Sequence, residues 1–453
     1  MKKTFTTLLL CGLLFSVQSQ TTTYYPLLQS QHVVWGQGYK ANAFTRFPAT
    51  AASSVPANVW KYSQWSAGLQ VRFKTNATSI TVNYGLTLKY SFLEVFSDMG
   101  ANGLDLYAKK PDGSWHWLHP ASRTVGSVFN YTLINPNDPY YNANGYEYCL
   151  YLPPFATVNS LNIQVNSGAS FSFIPVPQQI KPIVVYGTSI VHGQQSSRPG
   201  NIWTNILSRN FPDRPIVNLG FTGVAYAEPE VIQVINQIDA DIFILDCLPN
   251  LWLFNSALVN PRYSEAVSVI RTSHPNAAIL FVEHAGYADV EMYLDRKTLV
   301  SNANNTLKDV YQNLINQGYK NLYYLSKDEL NLNPAEDMSD HVHPNDKGMY
   351  KYAAAYTHKI AEILDDLPFT GLSASSRGEI EISPNPNRGK FSVKYPGLSE
   401  IRLLEIFDMQ GNNVYTRQIS EAETEISLSG EPGNYVLQIT GNGEKNISKF
   451  IIY

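Results

Sequence analysis

The sequence is short of several things, and each shortage narrows its reading. Cysteine is scarce, with three in 453 residues. Cys11 lies in the N-terminal apolar stretch, so an exported chain keeps only Cys149 and Cys247, too few for a disulfide scaffold. Cys247 ends the apolar run Ile242-Phe-Ile-Leu-Asp-Cys247, where a small buried thiol is expected rather than a bridge. CxxC, HExxH and clustered His/Cys patterns are missing, so neither a metal nor a cofactor is expected. Charge is sparse and nearly balanced, at net −4, and without a basic patch a nucleic-acid partner is excluded. No transmembrane segment is expected either. The apolar stretch Phe5 to Val17 falls short of the roughly 20 residues a membrane helix needs. Preceded by Met1-Lys-Lys3 and followed by Gln18-Ser-Gln20, it reads as a signal peptide over residues 1–20, cleaved near Ser19 or Gln20. Leu10 is too bulky for a lipoprotein signal at Cys11. Lastly, Gly187-Thr-Ser-Ile-Val191 stands where a Gly-x-Ser-x-Gly elbow would, which argues against the α/β-hydrolase fold.

What is present sorts into segments, and the length calls for two or three domains. Residues 21–177 read as a β-sandwich or jelly roll. Gln70 to Thr75 and Ser79 to Tyr84 alternate apolar and polar residues, and Phe92 to Phe96, Leu104 to Tyr107, Tyr146 to Leu152 and Leu161 to Val165 continue the series between Gly, Asn, Asp and Pro turns. Gly36-Gln-Gly-Tyr-Lys-Ala41 fits a dinucleotide fingerprint in letters only, because Asn42 to Pro48 is not a helix. Ile174-Pro-Val-Pro177 makes a stiff joint. Over 178–368 the pattern changes to apolar strands (Ile183–Gly187, Ile216–Gly220, Ile242–Cys247, Ala278–Glu283, Leu322–Leu325) alternating with helices (Gly200–Phe211, Pro229–Ile238, Pro261–Ser273, Arg296–Gln317, Asn345–Leu364). That alternation predicts a parallel sheet covered on both faces, with any site at the strand carboxyl ends. Residues 369–380 are small and polar, a linker, and 381–453 return to β.

Four short blocks lie in a fixed order: Ser189 in Val185-Tyr-Gly-Thr-Ser-Ile190, Gly223 in Asn218-Leu-Gly-Phe-Thr-Gly223, Asn250 in Leu248-Pro-Asn250, and Asp340-His-Val-His343. They supply a hydroxyl nucleophile, candidate oxyanion donors and an acid–base pair. A Ser hydroxyl needs a base to take its proton. With Asp340 three residues before it in one loop, His343 can face Asp340 with one imidazole nitrogen and Ser189 with the other.

These blocks resemble those of the SGNH (GDSL-type) hydrolases. Ser196-Ser-Arg-Pro-Gly200, Val217 to Gly223 and Leu245-Asp-Cys-Leu-Pro-Asn250 are similar to one branch almost letter for letter, and Gly103-Leu-Asp-Leu-Tyr107 resembles the GxDLY signature of the domain that precedes the hydrolase there. The resemblance spans roughly residues 24–368 and implies a three-layer, flavodoxin-like α/β/α hydrolase behind a jelly-roll-like domain. It implies a catalytic set of Ser189, Asp340 and His343, and an oxyanion hole of the Ser189 and Gly223 amides with the Asn250 side chain. Pro249 and Leu251 depart from the family's usual Gly-x-Asn-Asp form in the way the branch does. Family sites are open and shallow, which suits an ester on a polymer. Pro384-Asn-Pro-Asn-Arg-Gly389, Phe407-Asp-Met-Gln-Gly411, Gly433-Asn-Tyr435 and Lys449 to Tyr453 resemble a type IX secretion sorting domain, implying the type IX machinery as partner. The chain is then exported through the periplasm of a Gram-negative, Bacteroidetes-like bacterium and secreted or attached to the cell surface.

Rival residues surround the set. His341 has the wrong spacing from Asp340, and Gly220 reads as a turn glycine. His192, Arg198 and His284 are candidate substrate contacts, Arg198 being equally able to hold its loop. Asp246 is read as satisfying nearby backbone, Asp346 as a helix-start carboxylate, and Asp105 and Tyr107 as packing a domain interface. The implied activity is a serine esterase acting on acylated carbohydrate, with acetyl the leading group. The competing readings are a lipid or aryl esterase with the same chemistry, and a noncatalytic carbohydrate-binding surface protein, against which the complete residue set argues.

Overall fold

The computed structural model describes residues 20–91, 96–254, 256–367, 380–384, 387–395, 401–408, 412–430, 433–441 and 444–452. The signal peptide read over 1–20 except Gln20, most of the Phe92–Phe96 strand and nearly all of the 369–380 linker fall outside these residues. The chain divides into two compact units, one ending at residue 368 and one taking the remainder.

The first unit opens with two antiparallel sheets. One orders Thr21–Tyr24, Thr157–Asn166, Ser79–Thr87, Val128–Thr132 and Ser122–Thr124 side by side. The other orders Phe171–Phe173, Gln70–Thr75, Tyr146–Tyr151, Asp105–Lys109 and Trp115–Leu118, with Val34–Trp35 added against Gln70–Thr75. Ile80, Val82, Phe129 and Ile163 of the first sheet meet Val71, Phe73, Leu106 and Leu150 of the second in one core. Full burial of each such aliphatic side chain stabilises by roughly 1.5–3 kcal/mol over leaving it exposed. Thr81 and Asn83 alternate outward, half-buried, as the period of a strand requires. The second sheet differs. Gln70, Arg72, Asp105, Tyr107, Cys149 and Tyr151 lie on its other side and are buried as well. They face the helix Trp203–Asn210, where Tyr151 Oη donates to the Asn205 carbonyl at 3.2 Å and Arg209 Nη1 donates to Tyr151 Oη at 3.1 Å.

Next comes a five-stranded parallel sheet in the order Ile216–Gly220, Ile183–Gly187, Ile242–Asp246, Ala278–Val282, Leu322–Leu325. All but the last strand are buried throughout, which is why they read as unbroken apolar runs. Val184, Tyr186 and Leu245 pack under Pro229–Ile235, Ser256–Ser273 and Leu294–Asn316, while Ile183, Val185 and Ile244 pack under Trp203–Asn210 and Asp346–Asp366. Ala303, Leu307, Val310 and Leu314 show the one-face stripe of a helix covering a sheet. In this strand order the connections reverse direction at the Ile183–Gly187 strand, the second of the five, and sites in such sheets gather at the strand carboxyl ends there.

Two local expectations change. The helix expected from Pro261 begins at Ser256, with Pro261 inside it. Pro at a first turn is favoured but not obligatory, and the packed face extends the helix upstream. The last helix, expected from Asn345, begins at Asp346, with the Asn345 side chain as its cap. The glycines of the false dinucleotide fingerprint serve packing. A Cβ on Gly38 would lie 2.4 Å from Ile238 Cδ1, and Gly36, at φ +84, would meet the Gly68 carbonyl at 2.3 Å. Among the described residues no helix is long and apolar enough to cross a membrane.

The second unit holds a three-stranded sheet (Glu381–Ser383, Lys390–Lys394, Glu423–Ser427) and a four-stranded one (Asn413–Ile419, Arg402–Asp408, Gly433–Gly441, Glu444–Ile452), all antiparallel. Phe391, Val393, Leu404, Ile406, Leu437 and Phe450 form its core.

Candidate active site

Ser189 opens a one-turn helix, Ser189–His192, just after the Ile183–Gly187 strand. Thr188 caps it, and Gly193 ends it in the left-handed region at φ +99. The junction is tight. A Cβ on Gly187 would stand 2.5 Å from the Asp246 carbonyl oxygen and from Val191 Cγ2. Gly220 and Gly223 separate on the same test. A Cβ on Gly220 would lie 2.1 Å from the His192 nitrogen, so this glycine makes room for the serine helix. Gly223 has open space around it but stands at φ +69, so its need is conformational, and its backbone is free to face a substrate.

The tertiary fold brings Ser189 and the 340–343 loop together from 154 positions apart. His343 Nε2 lies 2.8 Å from Ser189 Oγ, and His343 Nδ1 lies 2.9 Å from Asp340 Oδ2. An ionised carboxylate can only accept, so Nδ1 carries the proton and Nε2 is the acceptor for the serine hydroxyl. Asp340 Oδ1 accepts the backbone N–H groups of Val342 at 2.8 Å and His343 at 2.7 Å, and Gln195 Nε2 donates to Oδ2 at 3.1 Å. Burial opposes ionisation of Asp340, but the hydrogen bonds and charge of His343 and the Val342 amide outweigh it and hold the carboxyl well below its ordinary range. Ser189 is 7% exposed and His343 is half-buried.

Asn250 sits in the short helix Leu248–Leu251, after the strand next to that of Ser189. Its Nδ2 donates one hydrogen to the Ala225 carbonyl at 3.2 Å, which orients the amide and leaves a second hydrogen on the same nitrogen. Tyr226 Oη donates to the Gly223 carbonyl at 3.0 Å and fixes that loop.

Of the three side chains read as substrate contacts, His192 and Arg198 bond to the protein, while His284 does so with Nδ1 and keeps a buried Nε2 without a hydrogen-bond partner among the described residues. His192 is fully buried and stacked 4.1 Å from the Phe155 ring. Its Nε2 donates to the Pro154 carbonyl at 2.8 Å, and Nδ1 accepts from Thr222 Oγ1 at 3.2 Å. Burial, aided by the Arg46 charge, keeps it well below the usual histidine range and therefore neutral. Arg198 donates to Asp105 and to Tyr107 Oη in the sandwich, at 2.6 Å each. His284 is buried and pushed down to about 3 by desolvation, then by Lys327. Its Nδ1 accepts the Gly286 N–H at 2.9 Å, and its ring lies 4.6 Å from that of Tyr287. Asp246 differs from expectation too. It accepts a hydroxyl, Tyr356 Oη, at 2.8 Å, and burial pushes it up to about 7 against that bond. His341 lies on the exposed side of its loop, 6.1 Å from the Tyr287 ring. Cys149 and Cys247 are both free and buried. Among the described residues no group of three or more His, Cys, Asp or Glu is placed to hold a metal.

Sequence reading missed Gln195, which belongs to no motif, and Thr222, whose partner His192 is 30 positions away. It also missed an aromatic row beside Asn250. Tyr226 and Phe254 meet edge-on at 5.9 Å, and Trp252 meets Tyr287 at 5.0 Å.

Residues 180–361 match the GDSL-like lipase/acylhydrolase family, residues 22–171 match the GxDLY domain found at the N-terminus of SGNH-hydrolase-type esterases, and residues 381–453 match the secretion system C-terminal sorting domain. That last domain marks type IX secretion to the cell surface or the extracellular space in Bacteroidetes. A protein assigned as a GDSL-like lipase from Bacteroides ovatus ATCC 8483 is 28% identical, with a TM-score of 0.67 over 76% of this chain and 98% of its own. The salicylyl-acyltransferase SsfX3 of a tetracycline biosynthetic pathway is 18% identical, with a TM-score of 0.60 over 77% and 98%, a likeness of fold alone. No curated protein matches the chain. Matches over all three segments, in the order the fold shows them, make the chain a member of the GDSL-like lipase/acylhydrolase family with a GxDLY N-terminal domain and a secretion system C-terminal sorting domain.

Proposed function

We propose that this protein is a secreted serine esterase that removes short acyl groups, acetyl foremost, from carbohydrate. The observation that carries the reading is the unbroken chain from Ser189 Oγ through His343 to Asp340, at 2.8 and 2.9 Å. In the mechanism, Ser189 Oγ attacks the ester carbonyl while His343 Nε2 takes its proton. The oxyanion falls to the amides of Ser189 and Gly223 and to the remaining Asn250 hydrogen. Collapse expels the sugar hydroxyl, protonated by His343. Water, deprotonated by the same nitrogen, then cleaves the acyl-enzyme and releases the acid. Asp340 stays ionised throughout.

The carbohydrate assignment draws on the aromatic row. Tyr226 and the exposed Phe254 meet beside the Gly223 loop, half-buried Trp252 follows Asn250, and such aromatic faces suit the C–H faces of a sugar ring. One observation favours a lipid or aryl ester instead: Leu253 and Phe254 beside Asn250 are 63% and 44% exposed. A panel of acetylated glycans, p-nitrophenyl esters of rising chain length and aryl esters, with released acid as the readout, decides between them. Preference for acetylated glycan supports the reading, and a preference rising with chain length replaces it. In the same reading residues 1–20 are the leader for passage through the periplasm, tested by whether the secreted protein starts near Thr21.

A further inference from the structure

Asp340 is braced from outside its own loop. Of its four hydrogen-bond donors, three come from residues 342 and 343, and the fourth, Gln195 Nε2, comes from 145 positions away. Gln195 is 7% exposed and stands at φ +71, a strained conformation for a residue with a side chain, which surrounding contacts must hold.

Those contacts tie the segment Gly193–Asn201 at two ends. On the sandwich side, Asp105 is 1% exposed, and its Oδ2 accepts Arg198 Nη1 at 2.6 Å and the Gly200 N–H at 2.9 Å. The Trp117 indole donates to Asp105 Oδ1, and its ring lies 4.4 Å from the Arg198 guanidinium carbon. Ser97 Oγ donates to the Ser197 carbonyl at 3.2 Å. The approach is too close for side chains. A Cβ on Gly200 would lie 2.4 Å from Asp105 Oδ2, and one on Gly100 would lie 2.2 Å from the Ser196 carbonyl oxygen. On the catalytic side, Gln195 reaches Asp340. The Asp346 carboxylate, three residues after His343, accepts Ser197 N at 2.9 Å, Ser197 Oγ at 2.5 Å and Asn201 Nδ2 at 2.8 Å.

We infer that Gly193–Asn201 is a strap through which the N-terminal sandwich positions the acid–base pair, with Gln195 as the positioning residue for Asp340. The inference rests on the reading of Asp340 and His343 as orienter and base. Two anchor points flank His343, and the sandwich fixes the strap between them. Gln195 keeps the carboxylate from rotating, so Oδ2 stays aimed at Nδ1. The GxDLY aspartate thereby acts on the chemistry without touching substrate.

The test uses the full chain carrying Gln195→Leu, Asp105→Asn, or both. The His343 Nδ1–H proton has a low-field NMR resonance that reports its bond to Asp340 without reference to turnover. In Gln195→Leu this resonance should move upfield or broaden, and kcat on p-nitrophenyl acetate should fall about tenfold, the worth of one hydrogen bond to a charged group, with KM within about twofold. Asp105→Asn should reproduce both changes, and the double variant should lose no more kcat than Gln195→Leu alone, because the two act in series. An unchanged resonance in Gln195→Leu overturns the inference, as do additive losses in the double variant. A shifted resonance with full kcat overturns the role of Asp340 instead, so the two failures are distinguishable. If loss of the buried pair unfolds Asp105→Asn, Gln195→Leu decides alone.

Discussion

Asp340→Asn tests the site most sharply, because the structure dictates what the new amide must do. Asp340 Oδ1 accepts two backbone N–H groups, at 2.8 and 2.7 Å. An asparagine can accept them only with its own carbonyl oxygen, so its NH2 is forced into the place of Oδ2, facing His343 Nδ1. There the ring nitrogen must become the acceptor, and the imidazole proton moves to Nε2, the atom 2.8 Å from Ser189 Oγ. Shape is kept and Gln195, whose Nε2 donated to the replaced oxygen, must turn its amide to accept, but the base now presents a proton to the nucleophile and cannot take one. The expected cost is about 10⁴-fold in kcat, the loss a wrong tautomer produces in a serine triad. That corresponds to about 5.4 kcal/mol of transition-state stabilisation. The assay is steady-state hydrolysis of p-nitrophenyl acetate from pH 5 to 9, with thermal unfolding as the control for folding. Retention of more than a tenth of the wild-type kcat by a folded variant would refute the tautomer argument and with it the role of Asp340.

Four further outcomes are expected. Asn250→Ala should lower kcat on the order of 100-fold with little change in KM, since its amide acts on charge that exists only in the transition state; a loss confined to KM would make it a substrate contact. His343→Ala should be as damaging as Ser189→Ala and His341→Ala mild, with reversed severities exchanging the two histidines. Because folding depresses the Asp340 pKa, its contribution to stability is complete above the unfolded value of about 4 and lost as pH falls below it, so Asp340→Asn should flatten the acid limb of a Tm-versus-pH curve there. An equally steep limb would assign acid sensitivity elsewhere. Removing the residues after Leu367 should leave activity intact, because the first unit is compact without them, whereas deleting 21–177 should give an insoluble or weakly active protein. Phe47, Ala51, Val55 and Val59 share the core of the parallel sheet, and their loss bares apolar surface; a soluble, fully active hydrolase unit would refute this.

Some of this was settled by the chain alone. Short unbroken apolar runs such as Ile183–Gly187, bounded by turn residues, fit strands buried on both faces, and their alternation with amphipathic helices leaves a covered parallel sheet as the outcome. Once the strands are placed, Ser189, Gly223 and Asn250 fall past strand ends by counting, and the short Asp340–His343 loop carries its own pairing geometry. Everything that depends on a partner far along the chain was left to the tertiary structure. Gln70 and Arg72 look in sequence like the solvent side of an alternating strand, because period two reports that a side chain points away from one core and not whether a second surface covers it. Here a helix of the hydrolase layer does, and it turns those polar residues into an interface. For the same reason the packing partners of His192, Arg198 and His284, which are Pro154, Asp105 and Gly286, could not be read from the chain. Gln195 had no signal at all: its hydrogen bond to Asp340 exists only because two segments 145 positions apart are pressed together by the sandwich, and no local pattern encodes that distance.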